Sequence, residues 1–254
     1  MSLGKMDKTK ERGLFITGGI CAIAWPILSE FVFYAVYPLL AGGGVTPQPG
    51  GPEGMMIRLA EAGQRPAVVA LEWGKVAVQL LQLPFLLAMY RLLRERGQRN
   101  LALVGVSLGL VSMVLIVISH TFLPTLSHAL GQAYADAESP EEGAAILAVT
   151  LSLLRWRGGL NQTASLLYQG CVGLVSLAMV RSRTWPIRGW VGLVGALLAL
   201  PAKLPLGLRV PTNLIWTGLA YFVWPIALGI GLLREALSAP GMAEGTEPTA
   251  VVGA

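Results

Sequence analysis

The sequence predicts an all-α protein, a polytopic bundle of six membrane-spanning helices. Six apolar segments each reach roughly the 20 residues that a helix needs to cross a bilayer. The 254-residue chain is 54% apolar and only 13% charged, whereas soluble domains carry about 25% charged residues. Positive charge also falls on alternate connections between the segments. We therefore expect a multi-pass protein of the cell membrane.

The apolar segments follow one another with short or polar connections. The first begins at Gly13 after a basic start, and it is too long for a signal-peptide core of roughly 7 to 15 residues. The fifth is the weakest, because Pro201 and Pro205 flank Lys203. The predicted membrane domain covers residues 13–234, with spans at residues 13–40, 66–93, 101–124, 160–180, 187–206 and 211–233.

Basic residues set the predicted orientation. The first cluster precedes the first span, the second joins spans two and three, and the third joins spans four and five. These clusters are Lys5, Lys8, Lys10 and Arg12, then Arg91, Arg94, Arg96 and Arg99, then Arg181, Arg183 and Arg188. Cytoplasmic connections are enriched in such residues. Both termini are therefore predicted in the cytoplasm: residues 1–12, and a disordered tail over residues 235–254 that is rich in Gly, Ala, Pro, Thr and Glu.

Composition argues against several kinds of ligand. The net charge of +5 is explained by topology, so no nucleic-acid partner is predicted. Cys21 and Cys171 both fall inside spans and lack the spacing of a zinc or redox site. His120 has no second intramembrane histidine with which to hold a haem. No metal or cofactor is predicted; the implied partner is the lipid bilayer, with another membrane protein or a second copy left open.

The first two hairpins resemble each other, which suggests a parallel repeat. Gly54 precedes Arg91 by 37 residues, and Gly143 precedes Arg181 by 38. Each copy would contain a short extracytoplasmic helix, and the second, over residues 144–154, is too short to cross and should lie at the interface or fold back. Parallel repeats occur in some transporters, but duplication also produces them in proteins that transport nothing.

Residues 166–200 carry the most recognisable pattern. A span ends in Arg181-Ser182-Arg183-Thr184-Trp185-Pro186, and a span with glycines at 189, 192 and 195 follows. This arrangement resembles an uncharacterised bacterial family of six-helix membrane proteins, a domain of unknown function. The long outer connections after the first and third spans agree with that family. The resemblance implies the fold and brings no catalytic residue with it.

Intramembrane polar residues are the candidates for function, because a charged group at mid-bilayer costs at least about 2.5 kcal/mol. Glu72, Lys75, Gln79 and Gln82 are spaced three, four and three residues apart and so share one helical face. That face must meet protein or water.

Topology brings further polar groups to a similar depth. The predicted outward-facing polar cavity contains Glu30, Glu72, Lys75, Gln79, His120 and Asn161, with Tyr34, Tyr37 and Gln169 as wall residues. Structural roles compete with this reading. Glu72 and Lys75 can form a simple intrahelical pair, and His120 and Glu30 can serve helix packing alone. The tryptophans, mostly near span ends, are interpreted as headgroup anchors.

Three functions remain open from the sequence. The first is binding or transport of a small solute or proton in the cavity. The alternative is a non-catalytic membrane subunit or regulator that packs against a partner protein, with the outer helix as its contact surface. A membrane enzyme using Glu72 and His120 as an acid and base pair on lipid is the least supported, because nothing in the sequence places the two within hydrogen-bond reach.

Overall fold

The computed structural model describes residues 3–31, 36, 51–203 and 218–238, and within them every regular element is helical. The helices up to the middle of the chain are α1 (Leu3–Phe31), α2 (Gly51–Gly63), α3 (Pro66–Gln79), α4 (Gln82–Glu95) and α5 (Arg99–Thr125). A π-helical segment (Leu126–Leu130) leads into α6 (Gly131–Ala135). The remaining helices are α7 (Pro140–Arg181), α8 (Pro186–Lys203) and, after a π-helical segment (Leu219–Val223), α9 (Trp224–Ser238).

Five helical stretches in the described part of the chain are long and apolar enough to cross a membrane. They are Glu11–Ser29, Pro66–Glu95, Arg99–Ala135, Pro140–Arg181 and Leu219–Ser238. A shorter apolar helix covers Pro186–Leu200, within the fifth predicted span. Parts of three predicted spans lie outside the described residues: 32–35 and 37–40 of the first, 204–206 of the fifth and 211–217 of the sixth. The all-helical fold is confirmed, and the apolar helices indicate a membrane protein.

Helix packing brings α1 and α9 together at one side of the bundle and α5, α7 and α8 together at the other. The core between them is apolar, and Phe85 meets Trp224 edge-on with ring centroids 6.1 Å apart. At one end of the bundle Arg91 pairs with Glu11. Arg96 pairs with Glu235 at 2.8 Å. The start of the first apolar helix, the end of α4 and the end of α9 therefore share one end of the molecule.

The second apolar stretch is broken at its middle. Leu80 and Leu81 donate to Ala77 and Val78, at 3.1 Å each, in the tighter spacing of three residues. Pro84 has no N–H for the carbonyl of Leu80, which instead accepts from Leu83 at 3.1 Å. The backbone turns out of the α-helix without leaving this carbonyl unsatisfied, and α3 and α4 become separate helices.

One expectation about the outer helices differs from the structure. We predicted a separate short helix over residues 144–154, but α7 is one continuous helix of 42 residues. Ser139 caps it, as expected, by accepting from the N–H of Glu142. The chain between this segment and the span contains glycine rather than proline, and glycine weakens a helix without removing a hydrogen bond. In the first hairpin Pro66 does separate α2 from α3.

Tryptophan positions correct a second interpretation. Trp73, Trp156 and Trp190 are exposed, as anchors should be. Trp25 and Trp224, however, are buried in the bundle at 5% and 1% exposure. Both lie near the middle of their predicted spans, residues 13–40 and 211–233, and their rings pack against neighbouring helices.

Two glycines set the distance between α1 and α9. A methyl group at Gly19 would lie 2.9 Å from the carbonyl oxygen of Gly229, and one at Gly229 would lie 2.7 Å from that of Gly19. Both atoms are backbone, which cannot move aside as a side-chain tip can. This close approach is the usual way in which small residues pack helices in membranes.

We expect Gly229→Ala to lower the free energy of unfolding by about 1 to 3 kcal/mol, because the added methyl overpacks the contact between α1 and α9. Gly158→Ala is the matched control. A methyl at Gly158 meets nothing within 4 Å, so this variant should gain about 0.5 kcal/mol of helix propensity. Unfolding in mixed micelles measures both values, and equal stability for the two variants would contradict the packing that we describe.

Candidate functional site

A cavity of about 140 Å³ lies inside the bundle between α1, α3, α4, α5, α7 and the Leu219–Val223 segment. Its volume is close to the roughly 150 Å³ that accommodates benzene in an engineered protein cavity. Unlike that apolar example, this cavity is lined by aromatic and hydrogen-bonding side chains. The lining residues are Trp25, Pro26, Ser29, Gln79, Gln82, Ser112, Ile116, His120, Tyr168 and Tyr221.

Three aromatic rings form one wall. Tyr168 stacks on Tyr221 with ring centroids 4.3 Å apart, and it meets Trp25 edge-on at 5.8 Å. The hydroxyl of Tyr221 donates to Ser165 at 3.1 Å, which fixes the ring. Tyr168 is buried, and its hydroxyl has no hydrogen-bond partner within the described chain. The wall therefore combines a stacked tyrosine pair with an edge-on indole, and it presents both apolar ring surface and polar hydroxyl groups.

Two glutamine side chains enter the cavity from the break between α3 and α4. The carbonyl oxygen of Gln79 accepts from the indole N–H of Trp25 at 3.0 Å and from the amide of Gln82 at 2.8 Å. These bonds leave the amide N–H groups of Gln79 and the carbonyl oxygen of Gln82 as a donor and an acceptor beside one another. The pair suits a neutral ligand with complementary hydrogen-bonding groups.

Helix α5 supplies the polar side of the cavity. Ser112 donates to the carbonyl oxygen of Ala164 at 2.7 Å, which joins α5 to α7. The Nδ1 atom of His120 lies 2.9 Å from the carbonyl oxygen of Ile116. Because a carbonyl only accepts, Nδ1 carries the hydrogen, and in the neutral ring Nε2 is the acceptor.

A buried ion pair on α3 lies outside the cavity lining. Glu72 and Lys75 form an ion pair at 3.0 Å, with only 4% and 3% of the residues exposed. The second carboxylate oxygen of Glu72 is buried without a hydrogen-bond partner in the described part of the chain. Both residues act electrostatically on His120, as does Arg157, so the pair contributes to the potential in the cavity.

Asn161 belongs to a neighbouring polar contact between α5 and α7. Its carbonyl oxygen accepts from Ser119 at 2.7 Å. The backbone carbonyl of the same serine accepts from Arg157 at 3.2 Å. These bonds join the two long helices near the cavity.

Of the six residues proposed from the sequence, some line the cavity, some lie outside its lining, and the side chain of one is not described. Gln79 and His120 line the cavity, whereas Glu72, Lys75 and Asn161 are not part of its lining. The side chain of Glu30, and both tyrosines at 34 and 37, lie outside the described residues. Gln169, proposed as a wall residue, is buried elsewhere on α7. Their joint membership of one site stays a prediction.

Sequence reasoning missed most of the aromatic wall. Trp25 was interpreted as an anchor, and neither Tyr168 nor Tyr221 was considered, because an isolated tyrosine in an apolar span carries no pattern. The sequence did offer one indication for Tyr168. It directly precedes Gln169, a polar residue in the middle of a span that was itself proposed as a wall residue. Ser112 was also missed, since serine is common at helix contacts in membranes.

A comparison with protein-family models identifies residues 31–236 as a Domain of unknown function (DUF4386). The chain belongs to this family. The match confirms the resemblance drawn from residues 166–200 and extends it over most of the chain. No curated protein and no solved structure matches the sequence. The description of the family names no function, so family membership assigns no ligand to the cavity.

Removing the lysine of the Glu72–Lys75 pair should destabilise the protein strongly, because it leaves the buried carboxylate of Glu72 uncompensated. We expect Lys75→Met to cost about 3 kcal/mol of unfolding free energy, and Glu72→Gln to cost less. The double variant should cost clearly less than the sum, since neither charge then remains. Glu53→Gln, which removes a carboxylate from an exposed position on α2, is the control and should change stability by less than about 0.5 kcal/mol. Additive single effects would show that the pair does not couple.

Proposed function

We propose that this protein binds a small polar solute in the cavity and moves it across the membrane. The observation that carries the proposal is the break between Gln79 and Gln82, which places two amide side chains in a cavity at the middle of a 30-residue apolar stretch. Irregular backbone at membrane depth is tolerated where it is buried in protein or lines a cavity. Interrupted spans of this kind form the substrate sites of many transporters.

The composition of the cavity supports a neutral solute over an ion. The described lining contains no aspartate, glutamate, lysine or arginine, and the Glu72–Lys75 ion pair lies outside it. The donor and acceptor of the glutamine pair match an amide, a urea or a polyol equally well. Stacked aromatic rings favour a flat molecule. A planar amide of a few heavy atoms satisfies the volume, the hydrogen bonds and the walls together.

We infer six membrane crossings with both termini in the cytoplasm. Two features of the described structure support this arrangement. The ion pairs of Arg91 with Glu11 and of Arg96 with Glu235 bring the start of the first apolar helix and the end of the last one to the same end of the bundle. That end also carries the basic residues that favour the cytoplasmic side. The cavity then lies between this end and the outer surface.

Solute binding is tested with purified protein and a panel of small amides, ureas, polyols, amino acids and inorganic ions. A ligand that enters the cavity should change the fluorescence of Trp25, and liposomes that contain the protein should take it up. We expect Gln79→Leu and Gln82→Leu to reduce both signals at least about tenfold, since each removes a hydrogen bond worth roughly 1 kcal/mol or more and leaves its partner unsatisfied.

Gln64→Leu makes the same substitution at an exposed position in the turn before α3 and should leave binding and uptake unchanged. Uptake that is equal in all three glutamine variants would refute a role for the cavity. If ions changed the Trp25 fluorescence and were taken up while no amide did either, the solute would be charged and not neutral.

A second candidate, a subunit that packs against a partner protein, is favoured by the length of α7. At 1.5 Å per residue its 42 residues extend about 63 Å, twice the hydrocarbon thickness. Its N-terminal part exposes Val149 and Trp156. A photo-crosslinker at Val149, which is 51% exposed, should then capture one defined membrane protein, whereas one at Leu197 of α8, which is 61% exposed, should not. Identical products from the two positions would count against the partner.

A further inference from the structure

Positive charge without a matching carboxylate gathers at the basic end of the bundle, around the turn between α7 and α8 and at the end of α9. The residues concerned are Arg181, Arg183, Arg188 and Arg234. None of them forms an ion pair within the described part of the chain. Glu235, the neighbour of Arg234 in sequence, pairs with Arg96 instead. Glu11 and Glu95 both pair with Arg91.

Two contacts hold the side chain of Arg188 in place. Its guanidinium group lies over the ring of Trp185, 5.0 Å from the centroid. Its Nη1 atom packs against Gly231 of α9, where a methyl group would overlap with both this nitrogen and the Trp185 ring. Of the guanidinium nitrogens only Nη1 is buried without a partner. Nε and Nη2 therefore lie on the accessible side of this half-buried residue.

Arg234 brings a second positive charge to the same place. It follows Gly231 by three residues on α9, so it lies on the same helical face, one turn nearer the end of the bundle. It is exposed, and it acts on Arg188 as a repelling like charge. We call Arg188 and Arg234 the arginine pair. Two neighbouring cations raise the free energy of the protein unless an anion lies beside them.

The backbone of the turn before α8 is strained where it supports the arginine pair. Arg183 and Trp185 have positive φ angles of 55° and 49°. Glycine adopts this left-handed region without the clash that a Cβ atom creates. Both positions nevertheless carry large side chains, and Trp185 supplies the ring on which Arg188 lies. Strain of this kind is concentrated at ligand sites.

The surface around the arginine pair is apolar and exposed. Ile187 and Leu237, which lie within one helical turn of the two arginines, are 79% and 70% exposed. Trp190 on α8 and Ile230 on α9 lie about one turn further into the apolar helices and are exposed as well. Tryptophan is enriched at the level of lipid headgroups. A ligand at this place meets both positive charge and apolar surface, which fits an amphiphile better than a free anion.

We propose that the arginine pair binds the phosphate group of an anionic phospholipid whose acyl chains lie along α8 and α9. A guanidinium group is always charged, and its planar fork matches the oxygens of a phosphate. Basic pockets between membrane helices bind lipid headgroups on the cytoplasmic side. The lipid neutralises the two like charges and joins the start of α8 to the end of α9. The site is separate from the cavity and does not depend on any solute there.

Lipid binding is tested by native mass spectrometry of delipidated protein in neutral detergent micelles. Phosphatidylglycerol, phosphatidylcholine with the same acyl chains, or inorganic phosphate is added. We expect the first phosphatidylglycerol to bind at least about tenfold more tightly than phosphatidylcholine and to raise the melting temperature. Equal affinity for the two lipids would overturn the proposal. Stabilisation by inorganic phosphate that phosphatidylglycerol does not exceed would reveal a site for a soluble anion and would overturn it as well.

Arg234→Gln removes the exposed charge of the pair and leaves the packing of the bundle intact. It should weaken phosphatidylglycerol binding at least about fivefold. Arg99→Gln is the matched control, because it makes the same change at an exposed position at the start of α5, which lies at the same end of the bundle. Its affinity should stay within about twofold of the original. Equal losses in the two variants would show that net charge alone attracts the lipid, and would refute the site.

Gly231→Ala tests the geometry without changing any charge. The added methyl displaces Arg188 and Trp185, so the affinity for phosphatidylglycerol should fall at least about threefold. Gly218→Ala is the control, since a methyl there meets nothing within 4 Å. Equal affinity in these two folded variants would contradict the role of Arg188. If Gly231→Ala does not fold, the comparison of Arg234→Gln with Arg99→Gln decides the proposal.

Discussion

The need to satisfy every backbone group without water shapes the centre of this bundle. Pro84 removes one donor from the middle of an apolar stretch, and the chain responds with three-residue hydrogen bonds and a turn. That turn directs the side chains of Gln79 and Gln82 inward, where the carbonyl oxygen of Gln79 accepts from the indole N–H of Trp25 and from the amide of Gln82. The cavity therefore follows from a backbone constraint, and its aromatic wall is built around a polar group that lipid could not accept.

Much of the fold could be predicted from the sequence, because the bilayer sets the length and the apolar composition of each membrane-spanning segment. Helix boundaries followed where proline or a capping residue acts locally, as at Ser139 and Pro66. The continuity of α7 was not predicted, since residues 144–154 were interpreted as a helix separate from the span at residues 160–180, with glycines 158 and 159 between them. Glycine costs helix stability only modestly, and the contact of α7 with α5 is extensive enough to outweigh that cost.

The residues that line the cavity could be predicted only in part, for a different reason. Periodicity placed the stripe from Glu72 to Gln82 on one face, and the structure buries all of it. Periodicity does not say which neighbouring helix a face contacts. The sequence therefore could not predict the hydrogen bonds of Gln79 with Trp25 and of Ser112 with Ala164. The charged residues of the stripe, Glu72 and Lys75, form an ion pair within α3, and only the two glutamines line the cavity.

Close packing and unsatisfied polarity occur side by side in the last two helices. Gly19 and Gly229 allow backbones to meet, whereas at Gly192 the hydroxyl of Ser176 and the indole nitrogen of Trp224 occupy the position that a Cβ would take. Neither of these two polar atoms has a hydrogen-bond partner in the described part of the chain, although burying an unbonded polar group is costly. Because the interior is close-packed, any larger residue at position 192 would have to displace one of the two side chains, so the three positions constrain one another.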